Sequence, residues 1–175
     1  SQKITLPKIK RFLLAGAPAH PSLVNDLSKV IPSGKVILPY GATEALPISA
    51  ANHIEVNKLS RDISLGQGSC LGRPLQGNTV RIAPISFSPF ESGLNCPQEL
   101  PQGEVGEICV SGPVVSQEYF RMPGATVDSK FHDGQLNYHR MGDLGYFDSE
   151  GFLRFLGRKV ERIITQDGPL ETERC

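Results

Sequence analysis

Residues 40–44, with the sequence YGATE, include four residue types that could contribute to the binding of a nucleotide. Tyr40 offers an aromatic face to a planar base, and Gly41 permits a close approach of the backbone. Thr43 offers a hydroxyl to a phosphate oxygen, and Glu44 offers a carboxylate to Mg²⁺. The alternative is an ordinary strand-to-loop turn with a solvated glutamate, and these five residues taken alone favour it.

Two further polar positions lie near the C-terminal end, in GDLG at 142–145 and GRK at 157–159. A fixed Asp143 can accept hydrogen bonds from two vicinal hydroxyls, such as those of a ribose, although an Asx turn is the favoured explanation for this motif taken alone. Arg158 can grip phosphate or ribose oxygens through its planar fork, although a basic surface turn is the simpler explanation. A hairpin between Asp143 and Arg158 brings the chain back towards its starting point, so that both side chains can share one site.

The turn at Gly16-Ala17-Pro18 can form a floor beneath a planar base, or it is only the turn that precedes a helix. The histidines show no ligand spacing and no arrangement with a serine or cysteine nucleophile, so we interpret them as structural or surface residues. They are His20, His53, His132 and His139.

These positions must be held by an α/β region that is followed by a β-rich region. Apolar runs at 11–15 and 35–40 predict buried strands, and apolar positions spaced as on a helix follow Pro21, which suits a first turn. A strand, a helix and a strand imply a parallel pair. Residues 50–65 have no clear period and are expected to be irregular.

From Gly66 onward, short strands alternate with turns. Strands are predicted at 79–85, 107–111 and 160–165, and a hairpin is predicted from 144–147 and 152–155 around a four-residue turn. The predicted parts are 1–65, the end of a parallel αβ subdomain; 66–157, a small antiparallel, β-barrel-like subdomain; and 158–175, a hinge and the start of a further domain. The ends at Ser1 and Cys175 are expected to be truncations.

Composition excludes several classes. Lys plus Arg and Asp plus Glu number 18 each, so the net charge of zero argues against a nucleic-acid or membrane-surface partner. No apolar run approaches the length of a membrane span. The cysteines Cys70, Cys96, Cys109 and Cys175 lack C-x-x-C spacing, which favours reduced thiols in a cytoplasmic protein.

The order of the motifs, more than any one of them, points to a family. GAP at 16–18, YGATE at 40–44, GRP at 72–74, GEI at 106–108 leading to GP at 112–113, GDLG at 142–145 and FLGRK at 155–159 follow one another along the chain. Together they resemble the adenylate-forming superfamily, which includes acyl-CoA synthetases, luciferases and the adenylation domains of peptide synthetases. The resemblance covers about Phe12 to Ile163.

The resemblance implies a nucleotide role for each matched residue. Gly16, Ala17 and Pro18 would line the adenine pocket, and Tyr40, with Gly41 and Ala42 beside it, would stack on adenine. Thr43 would bind phosphate, and Glu44 would help to hold Mg²⁺. Asp143 would bind the ribose hydroxyls, and Arg158 would contact ribose and phosphate and lead into a hinge. Of these residues, Thr43, Glu44 and Arg158 would be the catalytic ones.

The implied reaction is the attack of a carboxylate on the α-phosphate of ATP, which gives an acyl-AMP and pyrophosphate. The family's phosphate loop would precede residue 11 and its catalytic lysine would follow Cys175, so we expect the chain alone to be inactive. ATP or AMP and Mg²⁺ are the implied ligands, with a fatty or β-hydroxy fatty acid as the substrate and CoA as a further substrate if a thioester is formed.

Two positions differ from the usual family pattern in a way that bears on the use of CoA as a substrate. Val160 stands where the family's hinge usually has Asp or Lys, and Ile164 stands where many CoA ligases have Lys. YGATEALP at 40–47, HRMGD at 139–143, GRK at 157–159 and DGPL at 167–170 look closer to the β-lactone synthetases of bacterial hydrocarbon biosynthesis, which need no CoA. Two alternatives of other classes stay open, namely a non-catalytic nucleotide-binding module and an interaction domain with a degraded site.

Overall fold

The structure, a computed structural model of the 175-residue chain, describes residues 4–60, 65–166 and 168–172. Its elements are β1 (Arg11–Leu13), α1 (Pro21–Val30), β2 (Lys35–Ala42), β3 (Ala45–Asn52), α2 (His53–Lys58), β4 (Ser69–Pro74), β5 (Thr79–Ala83), β6 (Gly106–Ser111), α3 (Pro123–Ser129), β7 (Lys130–Asp133), β8 (Leu136–Phe147), β9 (Leu153–Arg158), β10 (Ile163–Thr165) and β11 (Gly168–Leu170). Short 3-10 turns occupy Gly93–Asn95 and Lys159–Glu161.

The predicted strand, helix and parallel strand at the beginning are confirmed. Strand β1 pairs with β2 in parallel register, with Arg11 opposite Lys35. Helix α1 starts at Pro21, and the His20 side chain caps it by accepting a hydrogen bond from the Ser22 amide. The helix buries Val24 against β2, so the spacing of its apolar residues identified it correctly.

The expectation of an irregular segment at 50–65 is wrong for residues 50–58. Strand β3 continues to Asn52, and α2 begins at the next residue. The Asn52 side chain accepts from the amides of Ile54 and Glu55, while the Glu55 carboxylate accepts from the Asn52 amide, which forms a reciprocal capping box. A helix of six residues is too short to show a period, but the Asn-x-x-Glu spacing was a signal.

Among the described residues, nine strands form one mixed sheet in the order β1-β2-β3-β4-β9-β8-β6-β5, with β7 paired to β8. Strand β4 joins the two regions because it is antiparallel to β3 on one side and to β9 on the other. One sheet therefore passes through both predicted subdomains, and the division at residues 65 and 66 stays a prediction.

Close approach of backbones at β4 requires a glycine. Gly72 has a φ of +79°, and a Cβ atom there would lie 1.9 Å from the carbonyl oxygen of Ala50. Both the positive φ and the missing side chain are needed, because this oxygen belongs to the backbone of β3 and cannot swing aside.

The predicted hairpin is confirmed as β8 and β9, with Phe147 opposite Leu153. Asp148 organises the turn, since its Oδ1 atom accepts from the amides of Glu150 and Phe152. This hairpin places Asp143 directly opposite Arg158. The predicted strands at 79–85 and 107–111 correspond to β5 and β6, with small differences in their ends. The strand predicted at 160–165 is confirmed only as β10, because the 3-10 turn Lys159–Glu161 occupies its beginning.

Apolar side chains from both regions share the core. One cluster packs Ala45 and Ile48 of β3 against Ile82, Ile108 and Leu153 of the antiparallel strands. A second cluster packs α1 and α2 against β2 and includes Phe152. Among the described residues, none of the helices combines the length and the hydrophobicity that a membrane-spanning helix needs.

Candidate functional site

A cleft of about 180 Å³ opens where β2 faces the end of the β8–β9 hairpin. Its lining includes most of the residues predicted for the site: Gly16, Ala17, Pro18, Tyr40, Gly41, Asp143 and Arg158. Apolar side chains complete the walls, among them Leu14, Leu38, Cys70 and Phe155. Site residues that lie far apart in sequence therefore share one cavity.

Tyr40 and Asp143 are joined directly. The Tyr40 hydroxyl donates a 2.6 Å hydrogen bond to Oδ2 of Asp143. Burial raises the pKa of Tyr40 well above its usual value, and the neighbouring Asp143 charge raises it further. Tyr40 thus stays protonated as a donor, while its ring borders the cleft.

Asp143 also forms an ion pair with Arg158, at 2.9 Å between Oδ1 and Nη1. The Asp143 side chain is 5% exposed and that of Arg158 is 54% exposed. Burial raises the pKa of Asp143, whereas the Tyr40 hydrogen bond and the Arg158 charge oppose that rise. The carboxylate is therefore fixed, and the guanidinium has room to move towards a ligand.

Ala42, Thr43 and Glu44 lie beyond this cleft. Ala42 ends β2, and Thr43 and Glu44 form the tight turn into β3. Thr43 is exposed, but Glu44 is half-buried and turned towards the antiparallel region, where its Oε1 accepts a 2.6 Å hydrogen bond from the Tyr119 hydroxyl. That bond is the main reason why the pKa of Glu44 is lowered, so Glu44 is anionic near neutral pH.

Sequence reasoning missed the residues that surround Glu44. Tyr119 contacts it, His139 lies edge-on to the Tyr119 ring at 6.5 Å, and Lys130 lies 6.0 Å from the centre of that ring. Burial, followed by the Lys130 charge, lowers the pKa of His139 to about 4. The alternation of residues 139, 141 and 143 along one strand was the available signal, since it places His139 on the same face as Asp143.

A second missed group anchors the chain beside Arg158. The Lys159 ammonium lies 2.8 Å from Oε1 of Glu107, which is 1% exposed and also pairs with Arg140 at 2.7 Å. Lys159 donates a further hydrogen bond to the carbonyl of Ser86. This anchor holds the end of β9 in place, and its two cations compensate the buried Glu107 charge.

The side chains in the turn at Thr43 and Glu44 fit one mode of magnesium coordination. The described residues contain no group of three or more His, Cys, Asp or Glu side chains that could enclose a metal. Mg²⁺ is commonly held by one or two carboxylates together with water and substrate phosphates. The anionic Glu44 beside the exposed hydroxyl of Thr43 matches that arrangement.

Known proteins of one family resemble this chain in sequence. Residues 1–120 match the family model of the AMP-binding enzymes. An olefin beta-lactone synthetase from Stenotrophomonas maltophilia is 40% identical over 174 residues, which is 96% of this chain and 31% of that protein. A 2-succinylbenzoate–CoA ligase from Bacillus licheniformis is 32% identical, over 90% of this chain and 28% of that protein.

Solved structures show the same fold. The amide bond synthetase McbA from Marinactinospora thermotolerans matches with a TM-score of 0.73 and 28% identity, over 94% of this chain and 29% of that one. O-succinylbenzoate coenzyme A synthetase from Bacillus subtilis, solved in complex with ATP and magnesium ion, matches with a TM-score of 0.71 and 28% identity, over 97% of this chain and 31% of that one. The chain thus spans about a third of the length of these proteins. It belongs to the AMP-binding enzymes, the adenylate-forming ligase family that its motifs predicted.

Proposed function

We propose that the whole protein joins a carboxylic acid to the AMP part of ATP, with release of pyrophosphate, and that the cleft described above binds adenosine. The observation that carries this proposal is the contact of Tyr40, Asp143 and Arg158 around one cavity. The Gly16-Ala17-Pro18 turn borders the same cavity. The partners are then small molecules, a nucleotide and an acid, rather than a nucleic acid.

Each cleft residue has a role that its contacts support. The Tyr40 hydroxyl is engaged by Asp143, so the ring remains available to stack on adenine. Asp143 is a fixed carboxylate that accepts hydrogen bonds from the ribose hydroxyls. Arg158 leaves its exposed position beside Asp143 to contact ribose and phosphate oxygens through its planar fork.

The reaction brings two anions together, namely the acid and the α-phosphate. Positioning and charge neutralisation therefore supply most of the rate acceleration. Arg158 contributes positive charge, and the Thr43 hydroxyl donates to a phosphate oxygen. Glu44 would hold Mg²⁺, which neutralises phosphate charge when it is bound.

Calorimetric titration with AMP tests the adenosine site. We expect the parent protein to bind AMP and to prefer it to 2′-deoxy-AMP, because Asp143 loses a ribose donor in the deoxy compound. Asp143→Asn should abolish most of that preference, since hydrogen bonds to charged groups contribute about 1.5–3 kcal/mol and neutral ones about 1. A protein that binds no AMP, or a variant that keeps the parent's full preference, contradicts the proposed site.

Asp133→Asn is the matched control for that experiment. Asp133 lies away from the cleft and pairs with Arg81, so its amide variant also loses a carboxylate charge and an ion pair. The preference for AMP over 2′-deoxy-AMP should be unchanged in this variant. A change there would mean that the effect of Asp143→Asn reports altered net charge rather than ribose recognition.

Within this reaction class we propose a β-hydroxy acid as the substrate and a β-lactone as the product. The relative at 40% identity, an olefin beta-lactone synthetase, supports this choice. Val160 and Ile164 are 79% and 73% exposed and apolar at the positions where the family's hinge charge and a CoA-ligase lysine are expected. In this chemistry the substrate's own hydroxyl displaces AMP, so the product forms without a thiol.

Incubation of the whole protein, rather than of the 175-residue chain alone, with ATP and a β-hydroxy acid, with and without CoA, distinguishes the two products. Lactone formation that is independent of CoA supports the proposal, and a CoA thioester as the main product contradicts it. If the whole protein binds AMP but releases no pyrophosphate from ATP in the presence of any acid tested, it is instead a non-catalytic nucleotide-binding module. The cysteines in the described ranges, Cys70, Cys96 and Cys109, are free thiols, which supports a proposed cytoplasmic location.

A further inference from the structure

Residues 115–119 contact both the side chain and the main chain of Glu44. The Tyr119 hydroxyl donates to Oε1 of the Glu44 side chain at 2.6 Å. The amide of Ser116 donates to the Glu44 carbonyl at 2.8 Å, and an isolated bridge pairs Ala45 with Val115. Residues 115–119 therefore fix both the backbone and the carboxylate of a residue that would otherwise project freely from a tight turn.

Tyr119 is itself held in place. Its amide donates to Oγ1 of Thr126, and its carbonyl accepts from the amide of Met122, at 3.0 Å and 3.2 Å. On one side its ring meets His139, which is 4% exposed. Such support is unnecessary for an ordinary surface tyrosine, but it is what a group needs in order to orient another side chain.

We propose that Tyr119 is a positioning residue for divalent-cation binding, and that its hydroxyl orients the Glu44 carboxylate towards the metal. This inference rests on the proposed function, in which Glu44 holds Mg²⁺ beside the phosphates of ATP. A phenol that donates one hydrogen bond to a carboxylate oxygen leaves the other lone pairs of the carboxylate available to a cation. Partners of this kind are typical of metal sites, and their loss lowers metal affinity by about 10–100-fold.

The experiment measures how much Mg²⁺ increases the affinity of the protein for a non-hydrolysable ATP analogue. Affinity is determined by calorimetry with saturating Mg²⁺ and without divalent cations, and the ratio of the two values is the metal effect. Because binding linkage is reciprocal, this ratio reports the affinity of the metal in the complex relative to its affinity for the free analogue, which is the same for every variant. We expect Tyr119→Phe to reduce the ratio by about 10–100-fold. The affinity for AMP without metal should remain within about twofold, since the cleft residues are untouched.

Two further variants complete the design. Glu44→Gln removes the proposed ligand and should reduce the ratio at least as much as Tyr119→Phe. Tyr146→Phe is the matched control, because the Tyr146 hydroxyl donates to the Gln67 carbonyl, away from Glu44. This control should keep the ratio of the parent protein.

The outcomes separate this inference from the function on which it rests. If Tyr119→Phe keeps the metal effect of the parent protein while Glu44→Gln reduces it, the role of Tyr119 is overturned and Glu44 remains a candidate metal ligand. A parent protein without any Mg²⁺ effect, or a Glu44→Gln variant with the parental ratio, overturns the inference but leaves AMP binding intact. Loss of metal-free AMP binding in Tyr119→Phe shows a structural role for Tyr119 and also overturns it. Absence of AMP binding in the parent protein contradicts the proposed function itself.

Discussion

The Tyr40 hydroxyl and the Asp143 carboxylate, 103 positions apart in the chain, meet at 2.6 Å. This contact joins β2 of the α/β region to β8 of the antiparallel region. One residue thus presents a ring to the cleft while its hydroxyl stabilises the carboxylate beside it, and the two functions can be separated by mutation.

Tyr40→Phe should lower the free energy of unfolding by about 1–3 kcal/mol, because the buried Asp143 carboxylate loses a hydrogen-bond donor. The ring remains, so AMP affinity should fall less than in Tyr40→Leu, which removes the aromatic face. Urea denaturation and calorimetric titration measure the two effects. Equal AMP affinities in the two variants would show that stacking on Tyr40 contributes nothing.

Arg158→Lys should leave folding nearly unchanged, because the positive charge next to Asp143 is kept and the side chain is 54% exposed. AMP affinity should fall by about tenfold, since an ammonium cannot reproduce the bidentate geometry of a guanidinium towards phosphate. Adenosine, which has no phosphate, should lose much less affinity. Calorimetry with both ligands checks this, and an equal loss for both would mean that Arg158 does not contact the phosphate.

His139 should make stability depend on pH. Burial lowers its pKa to about 4 in the folded protein, against 6.5 for an unperturbed histidine. The unfolded chain therefore takes up a proton first as the pH falls, and stability is lost from about pH 6.5 downwards. Between pH 7 and pH 5 the loss from this residue should be about 2 kcal/mol.

Denaturation of His139→Gln at the two pH values tests that assignment. The variant should lose about 2 kcal/mol less than the parent over this interval, whatever its stability at pH 7. His132→Gln replaces an exposed histidine and should follow the parent. The same decline in all three proteins would attribute the pH dependence to other groups.

Gly72→Ala should destabilise the fold severely, because the new Cβ would lie 1.9 Å from the Ala50 carbonyl oxygen. Gly151→Ala is a close control, since Gly151 has the same φ of +79° but nothing within 4 Å of the added atom. The control should cost about 1–2 kcal/mol, and Gly72→Ala should cost about 4 kcal/mol or prevent folding. Similar melting temperatures for the two variants would show that β3 and β4 can move apart.

The parts of the fold that were predicted are those with a local signal. Helix α1 has apolar spacing and a first-turn proline, and the β8–β9 hairpin has two apolar runs around a polar turn. Strand β3 and helix α2 were missed, because a strand that is followed at once by a six-residue helix shows neither a period of 2 nor one of 3.6 long enough to recognise.

The site also contains residues that were predicted from the sequence and residues that were not. Tyr40, Asp143 and Arg158 were predicted to lie together because a hairpin was expected between Asp143 and Arg158 and because the motif order is that of a known family. The contact of Tyr119 with Glu44 was not predicted, since Tyr119 lies outside any predicted element and is 75 positions from Glu44 in the chain. Contacts between a loop and a turn depend on the tertiary fold, which sequence spacing does not encode.

Strand β4 has a consequence for redesign of the cleft. Its main chain is hydrogen-bonded to β3 on one edge and to β9 on the other. The width between the opposing walls is thus determined by main-chain pairing. Leu38 and Cys70 border the cavity but also pack in the second core cluster, whereas Phe155 borders the cavity and lies outside the described core clusters. In the proposed adenosine site, Phe155 is therefore the position at which the shape of the cavity can be changed with the least effect on the core.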